Sequence, residues 1–152
     1  MNCSSLTDIT LPAQVEEIES EAFWGCTSLT SIKIPSRVTQ IAPRTFYDCC
    51  SLSSVTFTKN VKAIGEQAFY GCTAFRSIVL PDNVTSIGAE AFGSCINLTK
   101  IVLPSSVVDL SYRVFIGCPD LTVYCKGGEE GPSWHPDWNT EGVPVEFNYR
   151  SN

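Results

Sequence analysis

The sequence IGEQAFYGC at Ile64–Cys72 recurs in near-copies along most of the chain. Its phenylalanine has counterparts every 23 residues, at Phe23, Phe46, Phe69, Phe92 and Phe115. A cysteine series with the same period comprises Cys3, Cys26, Cys49, Cys72, Cys95 and Cys118. A fixed period of this length is the signature of a solenoid, in which each coil buries its apolar side only by stacking on its neighbours. The sequence therefore predicts a repeat solenoid.

The remaining apolar positions of the unit repeat with the same period. One column comprises Val15, Val38, Val61, Val84 and Val107, and the next comprises Ile18, Ile41, Ile64, Ile87 and Leu110. Two further columns comprise Leu29, Leu52, Phe75, Leu98 and Leu121, and Ile32, Val55, Ile78 and Ile101. Because like residues stack on like, we expect each coil to present the same apolar wedge to the next. Burial of each large apolar side chain in this way contributes about 1.5–3 kcal/mol to the free energy of unfolding.

Each unit also contains a short segment in which β-branched and polar residues alternate. Thr30–Pro35 is the first of these predicted strands, and a proline ends it. The same strand recurs at Ser54–Phe57, Ser77–Leu80 and Lys100–Leu103. Stacked once per coil, these strands are expected to form one parallel sheet along a face of a mainly β solenoid. Val84–Ile87 predicts a second, shorter strand or bend, and Gly65 is expected to open a brief helical turn.

The repeat does not extend to the end of the chain. A partial first unit and five full units occupy residues 1–125, and the polar, glycine-rich sequence KGGEEGP then opens residues 126–152. Apolar bulk returns out of phase at Trp134, Trp138 and Val143–Phe147. We expect a C-terminal cap, with both tryptophans over the last coil and Val143–Phe147 as a closing strand, because a solenoid otherwise exposes an apolar end. Since the chain opens within a unit at Met1, further repeats are expected N-terminally in the full-length protein.

Composition excludes several classes of partner. The chain has 152 residues, 43% of them hydrophobic, and a formal net charge of −6. Nucleic acid and anionic membrane surfaces both require clustered Lys and Arg, so neither is an expected partner. No apolar run approaches the roughly 18 residues of a membrane span, and the start of the chain does not resemble a signal peptide.

The consensus LPxxVTxIGxxAFxxCxxLxxI resembles the BspA-like, Treponema-type leucine-rich repeat family over residues 3–125. The resemblance implies a curved leucine-rich-repeat array that is surface-exposed or secreted, in host-associated bacteria and some parasitic protists. It also implies a role in adhesion or protein binding without catalysis, with host extracellular-matrix and plasma proteins as candidate ligands. Ala42–Thr45 and Ser111–Val114 depart from the GxxA part of the consensus, which lies in a turn.

The cysteines are expected to be free. Six of the eight lie in one column, where each is a small buried hydrophobe beside its phenylalanine. Stacked parallel side chains hold their Cβ atoms too far apart for good disulfide geometry. Zinc requires four convergent ligands, whereas this column runs in a line and the chain has one histidine, so no metal or cofactor is predicted. Cys50 is expected at the surface and Cys125 at the end of the last strand; a link from Cys50 to another chain stays open.

Three other groups of residues invite a chemical interpretation. His135 lies between Ser133 and Asp137, but neighbours in one loop rarely form a triad and no GxSxG elbow accompanies them, so no enzyme is predicted. The acidic run Glu16–Glu21 is either a cation site or, as is more common, a solvated face. Glycosylation acceptor patterns occur at Asn2, Asn83 and Asn97, and a motif this short also arises by chance.

The outward face of the predicted sheet is the candidate binding site. Its residues are short, weakly basic and partly apolar on an acidic chain: Ser31, Lys33, Ser54, Thr56, Arg76, Ser77, Val79, Lys100 and Val102. Val79 and Val102 would form a small apolar patch of the kind that marks an interaction site, or they are simply good β-formers. An extended surface suits a protein ligand better than a small molecule, which needs a closed pocket.

The sequence therefore favours a non-catalytic protein-binding or adhesion module whose ligand lies on this face. The alternative is a structural spacer, or a repeat array that associates with itself and has no ligand of its own.

Overall fold

A computed structural model describes residues 3–150. Met1 and Asn2, and with them the expected start within a unit and one glycosylation pattern, lie outside the described residues. Over residues 3–150 the chain forms short strands: β1 Ser31–Lys33, β2 Gln40–Ile41, β3 Ser54–Thr56, β4 Ala63–Ile64, β5 Ser77–Val79, β6 Ser86–Ile87, β7 Lys100–Leu103, β8 Asp109–Leu110, β9 Thr122–Cys125, β10 Ser133–Trp134 and β11 Val145–Glu146. This confirms the predicted solenoid.

All strand pairs are parallel, and from β1 to β8 they join residues 23 positions apart, as Ser31 with Ser54 and Ile64 with Ile87. The pair of β7 with β9 joins residues 22 positions apart, because the last unit is one residue shorter. The even-numbered strands form one sheet in the order β10-β8-β6-β4-β2. This is the second, shorter strand that the sequence predicts. The odd-numbered strands lie on another face, but as two sheets, β1-β3 and β11-β9-β7-β5. The expectation of one continuous sheet there is wrong, since β3 and β5 are not paired.

The expected helical turn after Gly65 is also wrong, and the described residues contain no helix. Two positions per coil adopt a positive φ that interrupts right-handed helix. One set comprises Glu21, Arg44, Gln67, Glu90 and Arg113, and the other comprises Gly25, Asp48, Gly71, Ser94 and Gly117. Every second amide of this turn instead donates to a carbonyl of the next coil, as Phe46 does to Ala68 and Phe69 to Ala91. The turns therefore form a third ladder that holds the coils together.

The five repeated phenylalanines form a continuous spine through the core. Phe46 and Phe69 stack with ring centroids 5.3 Å apart, and Phe69 and Phe92 are 5.4 Å apart. Phe57 and Phe75 meet the ring of Phe69 edge-on at 6.1 and 5.8 Å. All five spine rings are buried, so the spine joins neighbouring coils along the whole solenoid.

Five cysteines of the repeat column are buried beside this spine, and none of the cysteines forms a disulfide. The thiol of Cys72 donates to the carbonyl oxygen of Phe46 at 3.2 Å, and Cys49, Cys95 and Cys118 make the equivalent bond. Burial raises the pKa of Cys49 to about 12 and that of Cys125 to about 11. Cys50 is exposed and Cys125 is buried on β9, so both lie where the sequence places them.

Residues 126–150 continue the solenoid as an irregular coil. Strand β10 pairs with β8 and β11 pairs with β9, so both sheets extend into this segment. Trp138 lies one period after Phe115 and meets its ring edge-on at 6.2 Å, and Trp134 packs against Trp138 at 5.2 Å. Trp138 is 4% exposed. The tryptophans thus cover the last phenylalanine of the spine.

The spine predicts a large penalty for truncating its central member. Phe69→Ala is expected to lower the free energy of unfolding by about 3–5 kcal/mol, because it removes a buried ring and leaves a cavity between two coils. Urea denaturation followed by circular dichroism measures this. A loss below about 1 kcal/mol would show that the ring does not carry packing energy between the coils.

The buried thiols predict a stability that falls in alkali. Because burial holds the pKa of Cys49 above that of an unfolded thiol, its contribution is complete below about pH 8.5 and is lost as pH rises towards 12. Between pH 9 and 11 the free energy of unfolding of the Cys49→Ala variant is expected to fall less steeply than that of the unsubstituted chain, by up to about 1.4 kcal/mol per pH unit. Urea titrations across this range test it, and identical slopes would contradict it.

Candidate protein-binding face

Four of the nine predicted contact residues lie together on the paired strands β1 and β3. Ser31 and Lys33 on β1 are the register partners of Ser54 and Thr56 on β3, and all four are exposed. They line a groove of about 540 Å³, whose other wall includes residues 8–11. The groove is rich in hydroxyl groups and open along the sheet, which suits an extended ligand.

Three further predicted residues lie at β5. Arg76 precedes the strand, and Ser77 and Val79 point outwards from it. All three are exposed. Val79 is 62% exposed, the highest value among the large hydrophobic residues that the structure describes. Covering an apolar side chain that is this exposed would be favourable, because burial removes its apolar area from water.

The prediction that Val102 faces water is wrong, because its side chain is 2% exposed although it pairs with Val79 in register. Tyr124 lies beside it on β9, and the ring of Tyr149 packs on Tyr124 at 4.8 Å. The Nζ of Lys100 lies over both rings and donates to the Tyr149 hydroxyl at 2.7 Å.

An ion pair also bridges the part of the face that carries β7. Lys126, just after β9, contacts Asp82, just after β5, at 2.6 Å, so the pair spans the end of β7. The C-terminal segment thus covers the part of the face that carries Lys100 and Val102. The hydrogen bond from Lys100 to Tyr149 also raises the pKa of the Lys100 ammonium. The accessible face therefore extends from β1 to β5.

The ladder of strands is interrupted in the middle of this accessible face. The amide of Ile34 donates to the carbonyl of Thr56, and that of Leu80 donates to Val102. In residues 3–150 the equivalent amide of Phe57 makes no backbone bond to β5. Most Cα–Cα distances between β3 and β5 exceed 8 Å, whereas paired strands lie about 4.8 Å apart. We call this opening, bounded by Val55–Phe57 and Phe75–Val79, the β3–β5 gap.

Two aromatic substitutions in the repeat lie at the β3–β5 gap. Phe75 stands in the leucine column, and Phe57 stands where other units have isoleucine or leucine. Both rings lie against Phe69, so two bulky groups enter the wedge on this side of neighbouring coils. The opposite side stays closed, since β4 and β6 remain paired. Sequence reasoning missed this opening, although two phenylalanines in aliphatic columns were its signal.

The accessible face carries cations on a chain whose net charge is −6. Lys33 and Arg76 are exposed, and neither contacts a carboxylate within the described residues. Two arginines away from this face are paired with carboxylates, Arg37 with Glu16 and Arg44 with Glu21. Positive charge on this face is therefore free to meet an acidic ligand.

The other candidates of the sequence lie away from this face. Nδ1 of His135 accepts a hydrogen bond from the amide of Asp137, within the last coil. The carboxylates of Glu16–Glu21 are exposed, and no group of three or more possible metal ligands converges in residues 3–150. Asn83 and Asn97 use their side-chain amides to donate to carbonyls of the preceding coil. The described chain contains no helix long and apolar enough to cross a membrane.

The comparisons with known proteins agree with this architecture. A family model for the BspA type leucine-rich repeat region matches residues 1–122 in six copies. No curated protein matches the chain in sequence. A leucine-rich repeat protein from Bacteroides ovatus is 36% identical over 67% of this chain and 26% of that chain, with a TM-score of 0.64.

Two further solved structures are similar. A leucine-rich repeat protein from T. pallidum is 32% identical over 75% of this chain and 56% of that chain, with a TM-score of 0.72. A leucine-rich cell surface protein from Faecalibacterium prausnitzii is 28% identical over 92% of this chain and 31% of that chain, with a TM-score of 0.74. The matched regions span between about a quarter and just over half of these proteins. With its 23-residue coils, its phenylalanine spine and the matched repeats, the chain belongs to the BspA type leucine-rich repeat family.

Proposed function

We propose that the chain is a non-catalytic protein-binding module of a cell-surface or secreted leucine-rich repeat protein, with its ligand held on the face from β1 to β5. The observation that carries this proposal is the 62% exposure of Val79 beside an interrupted sheet. Unpaired strand edges are templates for pairing with another chain, and an apolar side chain beside them adds area that a partner can bury.

Charge and size support a protein ligand. Lys33 and Arg76 provide cations on an otherwise acidic chain, which favours specific docking of an acidic surface. The groove beside β1, of about 540 Å³, is partly open to solvent and is lined by strand residues of two coils, so it can hold side chains of an extended protein segment. The similar protein from F. prausnitzii is a cell surface protein, which supports the same location for this chain. Host extracellular-matrix and plasma proteins are the candidate ligands.

The alternative function is that of a spacer or self-associating array. It is supported by the first coil, whose apolar side chains are only partly buried: Leu6, Ile9, Leu11 and Val15. A second surface that stacks on this end would bury them as the coils bury one another. Light scattering separates the two functions, since self-association through this end requires a mass that rises with concentration.

The binding face predicts the effect of one charge at its centre. Val79→Asp is expected to weaken binding to an immobilised panel of extracellular-matrix and plasma proteins at least about tenfold, since it places a carboxylate in an apolar contact. Ile96→Asp is the matched control, because Ile96 is 51% exposed and does not lie on this face. Both variants should keep the circular dichroism spectrum and unfolding midpoint of the unsubstituted chain.

Retained binding by the Val79→Asp variant would overturn the proposed face. Equal losses in the two variants would show that the binding is not specific to it.

A further inference from the structure

The β3–β5 gap presents two strand edges that face each other without being bonded. In a parallel sheet the main-chain groups of alternate residues point to opposite neighbours. Strand β3 uses one set to pair with β1, and β5 uses one set to pair with β7. The other set of each strand points into the gap, where the described chain provides no backbone partner. Unpaired edges of this kind are templates for another strand.

The strands that bound the gap are too far apart to pair with each other. A strand inserted between them requires a separation of about 9.6 Å, twice the spacing of a paired sheet. Most Cα–Cα distances between β3 and β5 exceed 8 Å. The coils converge again beyond the gap, where the side-chain amide of Asn83 donates to the carbonyl of Lys59 at 2.7 Å. The opening is therefore local and as long as a short strand.

The floor of the gap is apolar. A cavity of about 110 Å³ lies between the strands, lined by Val55, Phe57, Phe75 and Ile78 together with the serines of both strands. A second hollow of about 270 Å³ continues from it across Val79 towards Lys126. An inserted strand would place its inward side chains over these rings, and a small aliphatic side chain fits the cavity. Its outward side chains would lie beside Ser54, Ser77 and Val79.

The charges beside the gap define the outward side chains of the occupant. Arg76 lies just before β5 and Lys59 three residues after β3, and neither contacts a carboxylate in residues 3–150. Asp82, the acid nearest to the end of β5, is already paired with Lys126. The rim is therefore positive and complements acidic residues.

We propose that the β3–β5 gap receives an extended segment of a partner protein as an additional strand, with aliphatic side chains inwards and acidic ones outwards. Main-chain bonds to β3 and β5 provide affinity, and the apolar floor and positive rim provide selectivity. This inference rests on the proposed binding face and names the part of the partner that the face recognises. Insertion would join the two sheets of this face into one.

A displayed library of random ten-residue peptides, selected on the full 152-residue chain, tests the proposal. Selected peptides are expected to alternate aliphatic and acidic residues. They should bind the Phe57→Leu, Phe75→Leu double variant at least tenfold more weakly, because leucines at both positions let β3 and β5 approach and pair. Methylation of the peptide amides at alternate positions should cause a similar loss on the unsubstituted chain, since it removes donors that only a paired strand uses.

The methylated peptides need no substitution in the protein, so they decide the question even where the double variant fails to fold. Selected peptides that tolerate methylation on both edges, or an absence of selected peptides, would overturn strand insertion. Loss of panel binding in the Val79→Asp variant would in that case leave the proposed face standing. Retained binding of the protein panel by the Val79→Asp variant would overturn the proposed binding face as well.

Discussion

Close stacking of one coil on the next is the constraint on which the rest of this structure depends. A Cβ atom added to Gly65 would lie 2.7 Å from the backbone nitrogen of Pro43, and one added to Gly88 would lie 2.5 Å from the nitrogen of Glu66. Only glycine allows such an approach of two backbones. The phenylalanine rings stack at the same positions of successive coils, 5.3–5.4 Å apart in the centre of the spine. Residues that stack on one another in successive coils are therefore 23 positions apart in the sequence.

The buried cysteines serve the same stacking. The carbonyl group of Phe46 points inwards and accepts a hydrogen bond from the amide of Cys49 in its own coil, which leaves one lone pair of the oxygen for a second donor. The thiol of the next coil donates to it, as that of Cys72 does to Phe46. A thiol is small and apolar enough to pack beside a phenylalanine and still offers a weak donor. These thiols therefore have a structural role, which agrees with their raised pKa values at Cys49 and Cys72.

The two bulky rings of Phe57 and Phe75 coincide with a separation of the coils on only one of the three sides of the solenoid. The turn ladder and the even-numbered strands remain continuous, whereas the odd-numbered strands separate where Phe57 and Phe75 enter the wedge. Because only the odd-numbered strands separate, one place on an otherwise regular solenoid differs from the rest. An exposed Val79, unpaired edges and positive charge occur together at this opening and give the face from β1 to β5 its chemical character.

Much of this fold can be predicted from the sequence, because the columns of Phe, Cys and Val repeat without insertion. The strands and the buried thiols follow from those columns. The site is less predictable. Val102 has the periodicity of an outward residue, but Tyr149 comes back from 47 positions further along the chain to cover this part of the face. The turn after Gly65 has a helix-like composition, yet the positive φ of Gln67 breaks it.

Hydrogen exchange at single amides tests most directly whether the strand ladder is open at the β3–β5 gap. In a ¹⁵N-labelled chain the account predicts protection of the amides of Ile34 and Leu80, which donate to Thr56 and Val102 across paired strands. The amide of Phe57 occupies the equivalent position at the β3–β5 gap and should exchange at least about a hundredfold faster. Protection of Phe57 equal to that of Ile34 and Leu80 would show a continuous ladder and would contradict the account.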